Sequence, residues 1–225
     1  MAERDSCFGV IFDLDGVLVD TGWAHKQSWY DLAEKEGFLM SDEFFYRTFG
    51  MHNYQIIPLL VGPELPDEEI NRLSDWKEQR YRELIADELA PADGVNALLE
   101  ELKNQGFRLA IGSSAPRANL DLLLGRLDLR SYFDACVTKE EVTHGKPSPE
   151  TFLKAASKLG LPPSHCVVVE DAVQGVQAGK AAGMAVVAVT TTRNRPDLAQ
   201  ADMIVDSLAQ LSAEDFAKLL RDRIQ

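Results

Sequence analysis

Cysteine is scarce. Cys7, Cys136 and Cys166 are the only three in 225 residues, odd in number, far apart and without a C-x-x-C pair. That excludes a disulfide framework and a cysteine-built zinc site, and leaves buried reduced thiols, each followed by an apolar residue. Positive charge is short as well: Lys and Arg total 23 against 36 Asp and Glu, a net charge of −13, which speaks against general nucleic-acid binding. The longest apolar run, Ala181 to Val189, is about half of the ~20 residues that a membrane span needs and is broken by Gly183. The first residues include Glu3, Arg4 and Asp5, ahead of an apolar stretch interrupted by Asp13 and Asp15, unlike a signal peptide. Internal repeats and low-complexity tracts are missing too. With 45% hydrophobic and 26% charged residues, the composition is that of an ordinary globular chain with room for a real core. The expectation is a cytoplasmic protein that works on neither nucleic acid nor membrane. Its oligomeric state stays open, and a monomer is compatible with everything above.

What is present is a regular alternation. Short apolar, β-rich runs at Cys7 to Phe12, Arg108 to Gly112, Ala135 to Thr138, Cys166 to Val169, Ala185 to Val189 and Met203 to Val205 alternate with helical stretches. This predicts an α/β fold, a doubly wound, mostly parallel sheet with a Rossmann-like core. The stripes Val95, Leu98, Leu99, Leu102 and Leu120, Leu123, Leu124, Leu127 mark helices that each cover one sheet face. Between Asp20 and Leu89 no β-rich run occurs. That stretch reads instead as helices, including Ala24 to Glu36, ended by Gly37, and a long charged one from Asp67 to Glu88, read as mostly solvated surface. The expected division is a core of residues 1–20 and 90–225 and an α-helical cap of residues 21–89. Linkers at Asp20-Thr21-Gly22 and around Pro91, Asp93 and Gly94 would suit a lid that opens and closes.

Asp13-Leu14-Asp15-Gly16 follows directly on the first strand, at the sheet edge where open parallel sheets bind ligands. Alone, such a pair is also compatible with a turn or an Asx cap; a calcium loop fails because its glycine would fall at Leu18. Glu170-Asp171 stands in the same relation to a later strand, where it could equally cap the next helix. Four acids at one edge, Asp13, Asp15, Glu170 and Asp171, repel one another unless a hard divalent cation joins them, and an all-oxygen set suits Mg²⁺. Ser113-Ser114 ends another strand and opens a helix, a place for an anion or an ordinary N-cap. Lys146, ahead of Pro147, is held in a loop near the same edge, or is simply a solvated charge.

In order and spacing, Asp13-x-Asp15-Gly16-Val17-Leu18-Val19-Asp20-Thr21, Ser113, Lys146 and Glu170-Asp171 resemble the four motifs of the haloacid dehalogenase superfamily over essentially the whole chain. The likeness is to the beta-phosphoglucomutase-like and phosphoglycolate-phosphatase-like branch, whose helical cap follows the first strand. It implies a Mg²⁺-dependent phosphatase of small phosphorylated metabolites, such as sugar phosphates or phosphoglycolate. Asp13 would be the nucleophile and Asp15 the acid and base. Mg²⁺ would sit on Asp13, the Asp15 backbone carbonyl, Glu170 and Asp171, and Ser113, Ser114 and Lys146 would bind phosphate. Asp15 stands where the dehalogenases lack an acid, so dehalogenation is not expected.

The resemblance also frames the cap. His25 falls where the sugar-phosphate mutases of this branch carry histidine, so an isomerase of beta-phosphoglucomutase type is the alternative. Phe49 and Asn53 stand where those mutases place a lysine and an arginine for a second phosphate, which favours the hydrolase. His25, Phe49 and Asn53 are therefore the candidates for cap specificity, whereas Trp29, Leu32 and Ala33 read as cap core. His52, His144 and His165 read as solvated loop residues, and Gly175, Gly179 and Gly183 as helix packing against the sheet.

Overall fold

The computed structural model describes residues 8–86 and 89–224. Cys7, expected to open the first strand, and Asp87 and Glu88, expected to end the long charged helix, lie outside them. Among the described residues, six strands form one sheet: β1 (Gly9–Phe12), β2 (Arg108–Gly112), β3 (Ala135–Val137), β4 (Cys166–Glu170), β5 (Ala185–Val189) and β6 (Met203–Val205). Their order is β3-β2-β1-β4-β5-β6 and every pairing is parallel.

After β1, among the described residues of 21–89, stand four helices that insert into the chain ahead of the sheet-covering ones: α1 (Gly22–Glu36), α2 (Asp42–Thr48), α3 (Asn53–Val61) and α4 (Asp67–Leu84). Local signals bound them. Gly37 closes α1 in the left-handed region at φ 76°, and the Ser41 hydroxyl caps α2 by accepting from Phe44 N at 3.1 Å. Trp29, Leu32, Phe45, Ile57 and Leu73 give this insert an apolar core of its own. The remaining helices cover the sheet: α5 (Val95–Asn104), α6 (Arg117–Arg126), α7 (Glu150–Leu159), α8 (Val173–Ala181) and α9 (Ala213–Ile224).

Strand alternation sorts the two faces. Val10 and Phe12 of β1 join the cluster under α5, α6 and α9, while Ile11 between them joins the one under α7 and α8. Both leucine stripes read from the sequence lie in the first cluster. The chain leaves β1 for β2 on one side and returns to β4 on the other, so the crevice at the carboxyl ends of β1 and β4 is the switch point where such sheets hold ligands. The two linkers run side by side: Val19 bridges to Pro91, and Ala92 N donates to Leu18 O at 3.0 Å. No helix among the described residues is long and apolar enough to cross a membrane.

Candidate active site

Asp13 and Glu170 meet because β1 and β4 are neighbours. Phe12 pairs with Val169, and Asp13 N donates to Val169 O at 2.9 Å, so both strands deliver an acid to the same crevice. Carboxylate oxygens of Asp13, Glu170 and Asp171 all lie within 4.8 Å of one another, and all three residues are buried. Lys146 is buried with them, donating to Asp13 Oδ1 at 2.7 Å and Glu170 Oε1 at 2.6 Å. The other Glu170 oxygen accepts from the amides of Asp171 and Ala172, each at 2.9 Å, just ahead of α8. Those amides precede the first turn of α8, so Glu170 orders the loop that leads into the helix rather than capping it. Two glycines make the space. A Cβ on Gly175 would stand 1.8 Å from Glu170 Oε1, and one on Gly16, itself at φ +84°, 2.0 Å from Asp171 Oδ2. Of the three glycines read as sheet packing, only Gly179 does that, against Val186 and Val168; Gly183 is a turn residue at φ +74°.

One lysine cannot balance three buried carboxylates. Burial, then repulsion from Glu170 and Asp15, outweighs Lys146 and pushes the Asp13 carboxyl up to about 7. Burial and the charges of Glu170 and Asp13 hold Asp171 well above the usual carboxylate range, and its buried Oδ1 has no hydrogen-bond partner. An all-oxygen set with an orphaned, buried acceptor fits a hard divalent cation.

Asp15 faces the other way. Its carboxylate lies outside that cluster, a correction to the four-acid expectation: the side chain turns towards the helical insert. Oδ1 accepts from Thr21 Oγ1 at 2.5 Å and Tyr81 OH at 2.6 Å, with His25 Nε2 at 3.2 Å. Burial works to raise this carboxyl, but the interaction with His25 and the hydrogen bonds outweigh it, so Asp15 sits below the usual carboxylate range. His25 stacks on Tyr81 with ring centroids 4.0 Å apart, and its Nδ1 lies 2.6 Å from Lys77 Nζ. An ammonium only donates, so Nδ1 is the acceptor and Nε2 carries the proton that points at Asp15.

The model for haloacid dehalogenase-like hydrolases matches residues 10–189. The chain belongs to this family. It is 33% identical over 178 residues to the fructose-1-phosphate phosphatase YqaB of Escherichia coli, covering 78% of this chain and 93% of the relative. It is 34% identical over 213 residues to the beta-phosphoglucomutase of Bacillus subtilis, covering 91% and 92%. Among solved structures, a beta-phosphoglucomutase from Clostridium difficile superposes with a TM-score of 0.88 at 28% identity, over 97% of this chain and 99% of the other.

The insert of this haloacid dehalogenase-like hydrolase holds the largest departures from the sequence reading. Helix α4 is not simply solvated: Ile70, Leu73, Lys77 and Tyr81 share one buried stripe, and Lys77 and Glu78 line the cavity beside Asp15. The missed signal is a pair of charged residues set in an apolar periodicity. Asn53 Nδ2 donates to Ser74 Oγ at 3.0 Å and Glu78 Oε1 at 2.8 Å, and Phe49 stands edge-on to His25. Trp29, read as cap core, also lines the cavity. On the core side Ser113 is buried at its foot, its Oγ accepting from Ala115 N at 3.0 Å. Ser114 lines the cavity, but its hydroxyl donates to Gly50 O of the insert at 2.9 Å rather than pointing at a phosphate. His52 is buried against Gly145 instead of solvated, whereas His144 is exposed and pairs with Glu150.

Proposed function

We propose that this hydrolase is a Mg²⁺-dependent phosphatase of small phosphorylated sugars and related metabolites, acting through a phosphorylated Asp13. One observation carries the reading: two carboxylates leave the same strand two residues apart into opposite surroundings. Asp13 faces Lys146, Glu170 and Asp171, while Asp15 faces His25, Thr21 and Tyr81. Phosphomonoester cleavage asks for that division, a nucleophile beside compensating charge and a separate proton carrier beside the leaving group. The kinship with a fructose-1-phosphate phosphatase supports a sugar phosphate as substrate.

In this reading an Asp13 oxygen attacks phosphorus while Asp15, which first takes up a proton from solvent, gives that proton to the departing oxygen. Asp15, then ionised as its hydrogen bonds favour, takes a proton from the water that attacks the Asp13 phosphoester. Phosphate leaves and the Asp13 carboxylate is restored. Lys146 and Ser113 hold phosphoryl oxygens. Mg²⁺ held by Asp13, Glu170 and Asp171, with the Asp15 carbonyl, would offset the phosphoryl charge. The cavity has about 50 Å³ of interior space, enough for a few waters. A sugar phosphate therefore enters when residues 21–89 swing away as a cap on the paired linkers at Val19 and Pro91.

The test is phosphate release from a panel of sugar phosphates with Mg²⁺. Turnover on at least one, lost with EDTA and in Asp13→Asn, is expected; no release from any, or full turnover by Asp13→Asn, ends the reading. His25 on Asp15 and the kinship with a beta-phosphoglucomutase favour a second reading, an isomerase. Conversion of beta-glucose 1-phosphate to glucose 6-phosphate without phosphate release would establish it.

A further inference from the structure

The insert side of the cavity carries no uncompensated cation. Of the described residues that line it, Lys146, Lys77 and His25 are the ones able to bear positive charge, and no arginine is among them. Lys146 is engaged by Asp13 and Glu170. Lys77, 1% exposed, donates to Glu78 Oε1 at 2.9 Å and sits on His25 Nδ1. Glu78 is itself 5% exposed, and both its oxygens are occupied: Oε1 by Lys77 and by Asn53 at 2.8 Å, Oε2 by Asn119 Nδ2 of α6 at 2.6 Å. Asn119 is oriented in turn by Arg82, which donates to its Oδ1 at 2.9 Å. A carboxylate tied this way cannot turn aside without stranding three buried donors.

The wall that meets the leaving group is thus an ion pair of no net charge, framed by the Asn53 amide and by Trp29, Phe49 and Ile56. A second anionic group on the substrate would be desolvated against Glu78 and Asp15 with no free cation to receive it. Neutral hydroxyls suit such a wall, because the ion pair and amide offer polar partners while the aromatic rings cover the carbon skeleton. We infer that Glu78 makes this enzyme selective for phosphomonoesters of neutral, hydroxylated alcohols, turning away leaving groups that carry a carboxylate or a second phosphate. The inference rests on the phosphatase reading above. Glu78 acts through Lys77, as a specificity-determining residue outside the bond-breaking step.

The experiment compares kcat/KM of the Mg²⁺-loaded enzyme within matched pairs: fructose 1-phosphate against fructose 1,6-bisphosphate, and glycerol 3-phosphate against 3-phosphoglycerate. The neutral member of each pair is expected to lead by about tenfold or more, the scale of one like-charge contact. Glu78→Gln, which leaves Lys77 uncompensated, should narrow both ratios; Lys77→Gln, which leaves Glu78 uncompensated, should widen them. A purely structural role for Glu78 would lower both members together and keep the ratio. Equal kcat/KM within the wild-type pairs, or ratios unmoved in the variants, overturns the inference, and the wild-type ratios decide if a variant does not fold. Failure of the wild type to hydrolyse any phosphomonoester, para-nitrophenyl phosphate included, is a separate outcome that removes the phosphatase reading and this inference with it.

Discussion

Tyr81 donates its hydroxyl to Asp15 Oδ1 at 2.6 Å across 66 positions of sequence, joining helix α4 of the insert to the loop that follows β1. Burial first, and then the Asp15 charge, hold this phenol well above its ordinary value, so it stays a donor. It joins Thr21 and His25 in stabilising ionised Asp15, the form that can accept a proton from water.

Tyr81→Phe removes one of these donors and lets the Asp15 carboxyl rise. In the proposed mechanism the second half should slow, since a less favoured carboxylate is present when water must be activated. Loss of one hydrogen bond to a charged group predicts a kcat lower by about tenfold. Rapid-quench measurements should then show phosphorylated enzyme accumulating; unchanged kcat with no accumulation contradicts the role.

Asp171→Asn should stabilise the metal-free protein while abolishing its response to Mg²⁺. The folded Asp171 carboxyl lies above its unfolded value, so keeping it ionised costs stability, and that cost grows as pH rises past about 4. The gain in Tm over wild type should accordingly be larger at pH 8 than at pH 4. Mg²⁺ at 100 times its Kd would stabilise the wild type by about 2.7 kcal/mol and the variant far less. Thermal melts with EDTA and with Mg²⁺ at the two pH values check both statements.

Gly175→Ala pits helix propensity against the site. In an open helix the change stabilises by about 1 kcal/mol. Here the new Cβ would lie 1.8 Å from Glu170 Oε1 and must push that carboxylate off Lys146. Mg²⁺ affinity, measured by titration calorimetry, should fall by about tenfold or more. Affinity equal to wild type would mean that Glu170 has other room to occupy.

Arg193→Ala should loosen the seam between core and insert. Tyr46 and Arg47 carbonyls belong to the last turn of α2, where helix carbonyls lack partners, and core side chains supply them: Arg193 donates to Tyr46 O and Gln174 to Arg47 O. The Arg193 guanidinium also covers the Phe49 ring. Losing these contacts predicts kcat/KM for a sugar phosphate lower by about tenfold, with a small aryl phosphate less affected. Faster amide exchange in α2 should accompany it, and protection equal to wild type would contradict the seam's role.

Asp13, Ser113, Glu170 and Asp171 were legible in the chain because each stands at or just beyond the end of a β-rich run, and a parallel sheet carries all such ends to one edge, whereas Lys146, in a loop away from any run, was legible only from the order of the motifs. The stripes of α5 and α6 were legible for an equally local reason, the helical period. Lys77, Glu78 and Tyr81 were not. Their burial depends on where the insert settles against the sheet edge, and local periodicity in α4 shows only that one face is covered, not what covers it. The same docking turns Asp15 away from the carboxylate cluster and binds the Ser114 hydroxyl to Gly50. Local pattern was enough to bring Asp13, Glu170 and Asp171 to one crevice, where their carboxylates cluster. The direction in which Asp15 points, and the charge of the wall it faces, come from long-range contacts between segments dozens of residues apart.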